Sequence, residues 1–205
     1  MKRRSVYVMI ATILAILVPS PGRFVYGVTL VIELNLLMLI GTLANSFVKK
    51  IKLDELNTVI VLIFVISTAV LFRQIMILLQ PEVMLTLGFL IYLMPVSVFL
   101  FGYLFSNKDE PLKDRLKLNM FHVLTYSIYA MLFFLLRDIA GYGTITFYGQ
   151  NHQIFEKVLI SPEKTGFFAI FASIPGALIL SSMLLFIHIY VRNKFEIVQK
   201  TEENK

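Results

Sequence analysis

Only a few side chains in this chain pair an ionisable group with an apolar setting. Glu33, Arg73, His122 and His188 lie inside long apolar stretches, and Arg137 and Asp138 close another. A charge at the centre of a membrane helix costs at least ~2.5–3.5 kcal/mol, so such a group normally faces a partner or a cavity. Glu33 is the most central, in LVIELNLL, with Asn35 two residues on. As chemistry, its carboxyl is a ligand for a proton or sodium, and Glu33 and Asn35 are candidates for an ion path. The alternatives are a hydrogen bond to a neighbouring helix, or a position near enough to the outer surface to reach water, since only seven residues separate Glu33 from Tyr26. Arg73, in LFRQIMILLQPE, is close enough to an outer end to snorkel. His122 and His188 fall near cytoplasmic ends and read as interfacial.

Other chemistries are excluded or unsupported. Cysteine is absent, which removes disulfides, thiolate metal sites, iron–sulfur ligation by this chain and cysteine nucleophiles. No phosphate-cradling glycine loop, Cys/His metal spacing or Ser/His/Asp arrangement is present, so no catalytic residue is assigned. The glycines of GYGT (141–144) follow a helix rather than open one, and Gly141 is expected to end it.

The elements that must position these groups read as membrane segments. Hydrophobic residues make up 58% of the 205 and charged residues 16%, more apolar side chain than a water-facing surface accommodates. Six apolar segments stand out: Val6–Val18, Tyr26–Phe47, Thr58–Leu79, Met84–Phe105, Met120–Leu136 and Phe167–Tyr190. A span needs roughly 20 residues, so the first has the length of a half segment and the fifth falls short unless it continues through Ile139. MKRR before an apolar run has the charge of a signal peptide. No small-x-small site precedes Pro19, and the run reads as a retained first segment. Five of the 19 basic residues, Arg23, Arg73, Arg137, Lys157 and Lys164, lie apart from the rest, which flank one side of the segments. That asymmetry predicts cytoplasmic termini, with residues 137–166 outside, and explains the net charge of +6 through lipid headgroups rather than nucleic acid.

The expected fold is an all-α integral membrane protein forming a single membrane domain over 1–205. Its six segments form two inverted three-helix repeats, about 5–79 and about 84–190, with a cytoplasmic tail at 191–205. The leading segment of each half is interrupted, by Pro19-Ser20-Pro21-Gly22 in the first and Pro95-Val96-Ser97 in the second. Broken segments in corresponding positions point to a site near the bilayer midplane. The plainer account is that proline is commoner in membrane helices than in soluble ones.

Four stretches go beyond hydropathy. LLRDIAGYGTITFYG (135–149) resembles the "IREIxGxGTLFG" stretch of the six-helix membrane subunits of Rnf and Nqr complexes, and ASIPGALILSSMLL (172–185) resembles their last helix. TLANSFVKKI (42–51) resembles their "TLSNxxISLLRK", and IYLMPVSVFLFG (91–102) their "IPLIVVNCxILG". The resemblance covers nearly the whole chain, although each motif is degenerate. Cytoplasmic termini and the long outer loop favour the RnfE/NqrD type over RnfA/NqrE.

The resemblance implies a pair of homologous six-helix subunits with inverted topology, at the core of a complex coupling electron transfer to sodium or proton movement. In the family, cysteines from broken helices hold an iron–sulfur cluster at the pair interface. The matching positions here are Ser20, between Pro19 and Pro21, and Ser97-Val98 after Pro95. Serine is a poor iron ligand and valine none, so no cofactor is expected on this chain alone, and flavin and iron–sulfur centres belong to partner subunits. The glycines that open the family's fifth helix are replaced by NMFHVLTYS (119–127). Arg137 persists, with Asp138 in place of the family's glutamate; these two with Gly141, Gly143, Pro175 and Gly176 are the expected loop and packing residues. The expected function is a cluster-free membrane subunit of such a complex in a prokaryotic plasma membrane, itself at most non-catalytic. Its expected partners are an inverted homologue, other Rnf/Nqr-type subunits and lipid, with no nucleic acid. The alternatives are a small permease component, or a structural assembly subunit without a redox role.

Overall fold

The computed structural model describes residues 16–53, 55–104, 111–150, 152–161 and 166–203. Residues 6–15, most of the expected first segment, lie outside the described residues. The chain then forms α1 (Phe24–Lys50), α2 (Asn57–Leu79), α3 (Pro81–Leu87), a 3-10 segment (Gly88–Leu93), α4 (Val98–Leu104) and α5 (Leu112–Tyr142). Strands β1 (Thr144–Tyr148) and β2 (Ile154–Val158), a second 3-10 segment (Gly166–Ala172) and α6 (Ile174–Glu203) complete it.

Helices α1, α2 and α5 have 27, 23 and 31 residues and are long and apolar enough to cross a membrane. At 1.5 Å per residue even α2 covers about 35 Å, against about 30 Å of hydrocarbon. Two shorter apolar stretches, Pro81–Leu93 and Ile174–Ile187, accompany them. Ile63 and Leu78 of α2 and Phe121 and Ile128 of α5 are more than half exposed, an apolar band that hydrocarbon favours and water does not. Lys49 and Lys50 close the last turn of α1, where cations suit the helix dipole.

Helix α1 is the centre of the packing. It runs antiparallel to α5: a Cβ on Gly27 would overlap the Phe134 ring, Asn35 Nδ2 donates to Ser127 Oγ at 2.8 Å, and Asn119 Nδ2 donates to Thr42 Oγ1 at 3.1 Å. One turn before Asn45, Gly41 lets Leu104 of α4 and Val65 of α2 approach the α1 backbone.

Several expectations need correction. The described residues are mostly helical, in keeping with the expected class, but residues 144–158 add a small antiparallel hairpin, with Thr144 opposite Val158 and Tyr148 opposite Ile154. Its β-branched and aromatic residues favour a pleated strand. Gly141 does not end α5; the helix runs one residue further, and Gly143 caps it in the left-handed region at φ 68°, its N–H bonded to the Ile139 carbonyl. The sixth segment is not continuous, since Ser173 separates a 3-10 turn from α6. The expected tail begins as helix, because α6 continues to Glu203. The fourth segment is interrupted, and Gly88, at φ 50°, adds a second discontinuity before Pro95.

Candidate functional site

The chain cannot continue as helix through Val18-Pro19-Ser20-Pro21-Gly22. Each proline lacks an N–H and pushes the residue before it out of the helical region. The break leaves carbonyls unpaired on one side and N–H groups unpaired on the other. Ser20, fully buried, closes one of them by donating from Oγ to the Ile16 carbonyl at 2.6 Å. The first turn of α1 holds no acidic residue, and Arg23 at its N-cap makes no side-chain cap bond.

The missing caps come from α5. Asp138 Oδ2 accepts the Phe24 N–H at 2.9 Å. The same oxygen accepts the Thr146 N–H at 2.8 Å and its hydroxyl at 2.7 Å, while Oδ1 accepts the Thr144 hydroxyl at 2.8 Å. Thr146 Oγ1 in turn accepts the Val25 N–H at 3.2 Å. A carboxylate remote in sequence therefore caps α1, and its negative charge lies at the positive end of the helix dipole.

Arg137 takes the opposite ends. Its Nη1 donates to the Ser20 carbonyl at 2.6 Å and to Leu17 and Val18 carbonyls at 3.4 Å each. Nε donates to the Phe171 carbonyl at 3.1 Å, and Nη2 to Ala172 at 3.0 Å and Ser173 at 3.4 Å. The planar fork of five N–H groups thus joins two interrupted segments through their C-terminal carbonyls, where a cation is favoured. Only 1% of Arg137 is exposed. Gly22 is required beside it, because a Cβ there would stand 2.8 Å from Nε. On α5, a Cβ on Gly141 would stand 2.7 Å from the Ala172 nitrogen. Pro175 lies in the first turn of α6, where its missing N–H costs little, and Ser173 Oγ accepts the Gly176 N–H at 3.4 Å.

The hairpin completes this end of the α1–α5 pair. Arg23 forms an ion pair with Glu156 and lies over the Tyr142 ring. Tyr148 shares a 2.6 Å hydrogen bond with Thr29, and burial holds its phenol above the ordinary value, partly offset by that bond. At the turn, Gln80 Nε2 donates to the Gly149 carbonyl at 3.4 Å, and Glu82 accepts the Ile154 N–H at 2.9 Å.

The second break is a separate cluster. Pro95 is buried, and Ser97 Oγ accepts the Leu100 N–H at 3.3 Å, capping α4. Val98 begins α4, and its side chain lies outside the described residues, as does that of His188. The donor set at the two breaks does not fit an iron–sulfur cluster. The two serine hydroxyls are engaged with backbone, valine offers no donor, and the chain has no thiol.

Glu33 meets neither plain expectation. It is fully buried, so it does not reach water, and neither carboxyl oxygen has a hydrogen-bond partner among the described residues. Asn35 does not join it, since side chains two apart on a helix point to different faces. Asn35 instead donates to the Val31 carbonyl and to Ser127, leaving Oδ1 unpartnered. The Arg73 guanidinium lies over the Tyr92 ring, 5.9 Å from the centroid. His122 stacks on Tyr103 at 4.5 Å.

Two polar groupings escape a reading of the sequence. Thr144 and Thr146 alternate on one strand face, a signal that becomes meaningful only once Asp138 is known to face them. Asn57 Nδ2 donates to Asn45 Oδ1 at 3.0 Å, and Asn45 Nδ2 to the Leu104 carbonyl at 2.6 Å. Their signal was amide side chains at the ends of consecutive apolar runs. No protein-family model matches the chain, and no curated protein matches it.

Proposed function

We propose that the chain is a multi-pass membrane subunit of an Rnf/Nqr-like ion-translocating electron-transfer complex, holding no redox centre of its own. The observation that carries this reading is the joint at Arg137, which ties the break containing Ser20 to the segment before α6. These are the regions through which the sequence resembles the family, and the breaks are kept as built features although the ligands are gone. The antiparallel packing of α1 on α5 supports two inverted halves, since each is the second segment of its half. In this reading an inverted homologue supplies the other half of the core, both termini are cytoplasmic, the hairpin faces outward in a prokaryotic plasma membrane, and flavin and iron–sulfur centres reside in partner subunits.

An anion-binding permease is the alternative, and Asp138 counts against it. The N-terminal N–H groups of α1 that would meet an anionic solute are already capped by a carboxylate and a threonine.

Isolation of the full chain from its native membrane in mild detergent tests the proposal. A homologous six-helix subunit should co-purify with flavin- and iron–sulfur-bearing subunits, every iron held by partner residues. Absence of those neighbours, with solute transport that needs neither flavin nor reductant, overturns it.

A further inference from the structure

Inside the α1 packing, the unpartnered side-chain atoms of Glu33, Asn35, Asn57 and Asn119 are all oxygens. The carboxyl of Glu33 and the amide oxygens of these three residues therefore lack donors. Three of the four residues are at most 4% exposed, and Asn35 is half-buried. A buried acceptor without a donor costs about 1–3 kcal/mol, and an ionised one more. Such a set needs something positive or protic to complete it.

The charged and titratable groups around Glu33 are otherwise engaged. From α5, Arg137 and Asp138 hold the outer ends, Tyr126 and Tyr129 lie nearer its level, His122 stacks on Tyr103 of α4, and Arg115 is buried towards the other end. From α2, Arg73 covers Tyr92; from the hairpin, Tyr148 bonds Thr29, one turn outward of Glu33. The ion pair among the described residues is Arg23 with Glu156, and no group of three acidic or imidazole ligands exists among them. One carboxyl without a second acid balances one positive charge, and oxygen ligands suit a hard ion.

On faces of α1 turned away from Glu33, Asn35 lies against Ser127, Thr42 against Asn119, and Asn45 against Asn57. Twelve residues separate Glu33 from Asn45, about 18 Å at the helical rise. These contacts end one turn before Lys49 and Lys50.

We propose that Glu33 is an exchangeable monovalent-cation site, taking a proton or sodium. The inference rests on the membrane-spanning part of the proposed function and not on its redox partners.

Labelling with a hydrophobic carbodiimide, which attacks protonated carboxyls in apolar surroundings, tests it on the purified full chain without any electron donor. Mass spectrometry should find an adduct at Glu33 that falls several-fold as pH rises, and Glu33→Gln should remove it. Protection by sodium chloride but not choline chloride identifies sodium. Dependence on pH alone identifies the proton. Glu33 left unlabelled, or labelled equally at every pH and salt, overturns the site.

Discussion

The hairpin end of the α1–α5 pair and the stretch that runs from its middle towards Lys49 are both buried and polar, yet they are built differently. At the hairpin end, Asp138 takes four hydrogen bonds and Arg137 serves six carbonyls. Further in, Glu33 and three amide oxygens have no donor. A fully satisfied network rigidifies, whereas a partly satisfied one carries a continuing cost. The first is a clasp that fixes broken segments; the second holds the carboxyl proposed as a cation site.

The largest effect that tests this contrast is expected from Arg137→Met. It leaves six carbonyls short of a donor, and the detergent-solubilised protein should lose at least about 3 kcal/mol, read as loss of the monodisperse folded peak on mild heating. Arg137→Lys should rescue little, because an ammonium cannot present a planar fork to two segments. A folded Arg137→Met protein with unchanged melting would dissolve the idea of a clasp.

Asp138→Ala should cost less, about 1–2 kcal/mol for a lost helix cap, and should loosen the hairpin. Amide hydrogen exchange would locate the change at Phe24, Val25 and Thr146, with Asp138→Asn intermediate. Uniform exchange across α1 would mean that the carboxylate acts on the whole fold rather than on the cap.

The smallest effect belongs to Glu33→Gln. An unpartnered carboxyl contributes no hydrogen bond to lose, so the melting temperature should stay level or rise while any sodium or pH dependence of it disappears. A drop as large as that of Asp138→Ala would erase the contrast and make Glu33 another structural anchor.

Hydropathy sufficed for α1 and α2, because an unbroken run of about 20 apolar residues leaves the backbone no other way to satisfy its hydrogen bonds in hydrocarbon, whereas for α5 it marked only the central part of a helix that runs from Leu112 to Tyr142. Proline chemistry likewise sufficed for breaks at Pro19–Gly22 and Pro95, since a missing N–H acts locally. The hairpin was missed because its five-residue strands are stabilised by docking on Asp138, Thr29 and Glu82 rather than by their own pattern. The helix end at Gly143 rather than Gly141 was also a tertiary decision: Gly141 is needed for close approach to Ala172.

By itself, then, the sequence determined the solvent, the strongest helices and the interruptions, all properties of contiguous residues. The tertiary structure alone decided what the polar residues do. Arg137 and Asp138 are neighbours in the chain yet serve opposite dipole ends, and Glu33 and Asn35 are near neighbours facing different sides. The reason is that helix geometry sets direction, and only packing supplies the partner at the end of each direction.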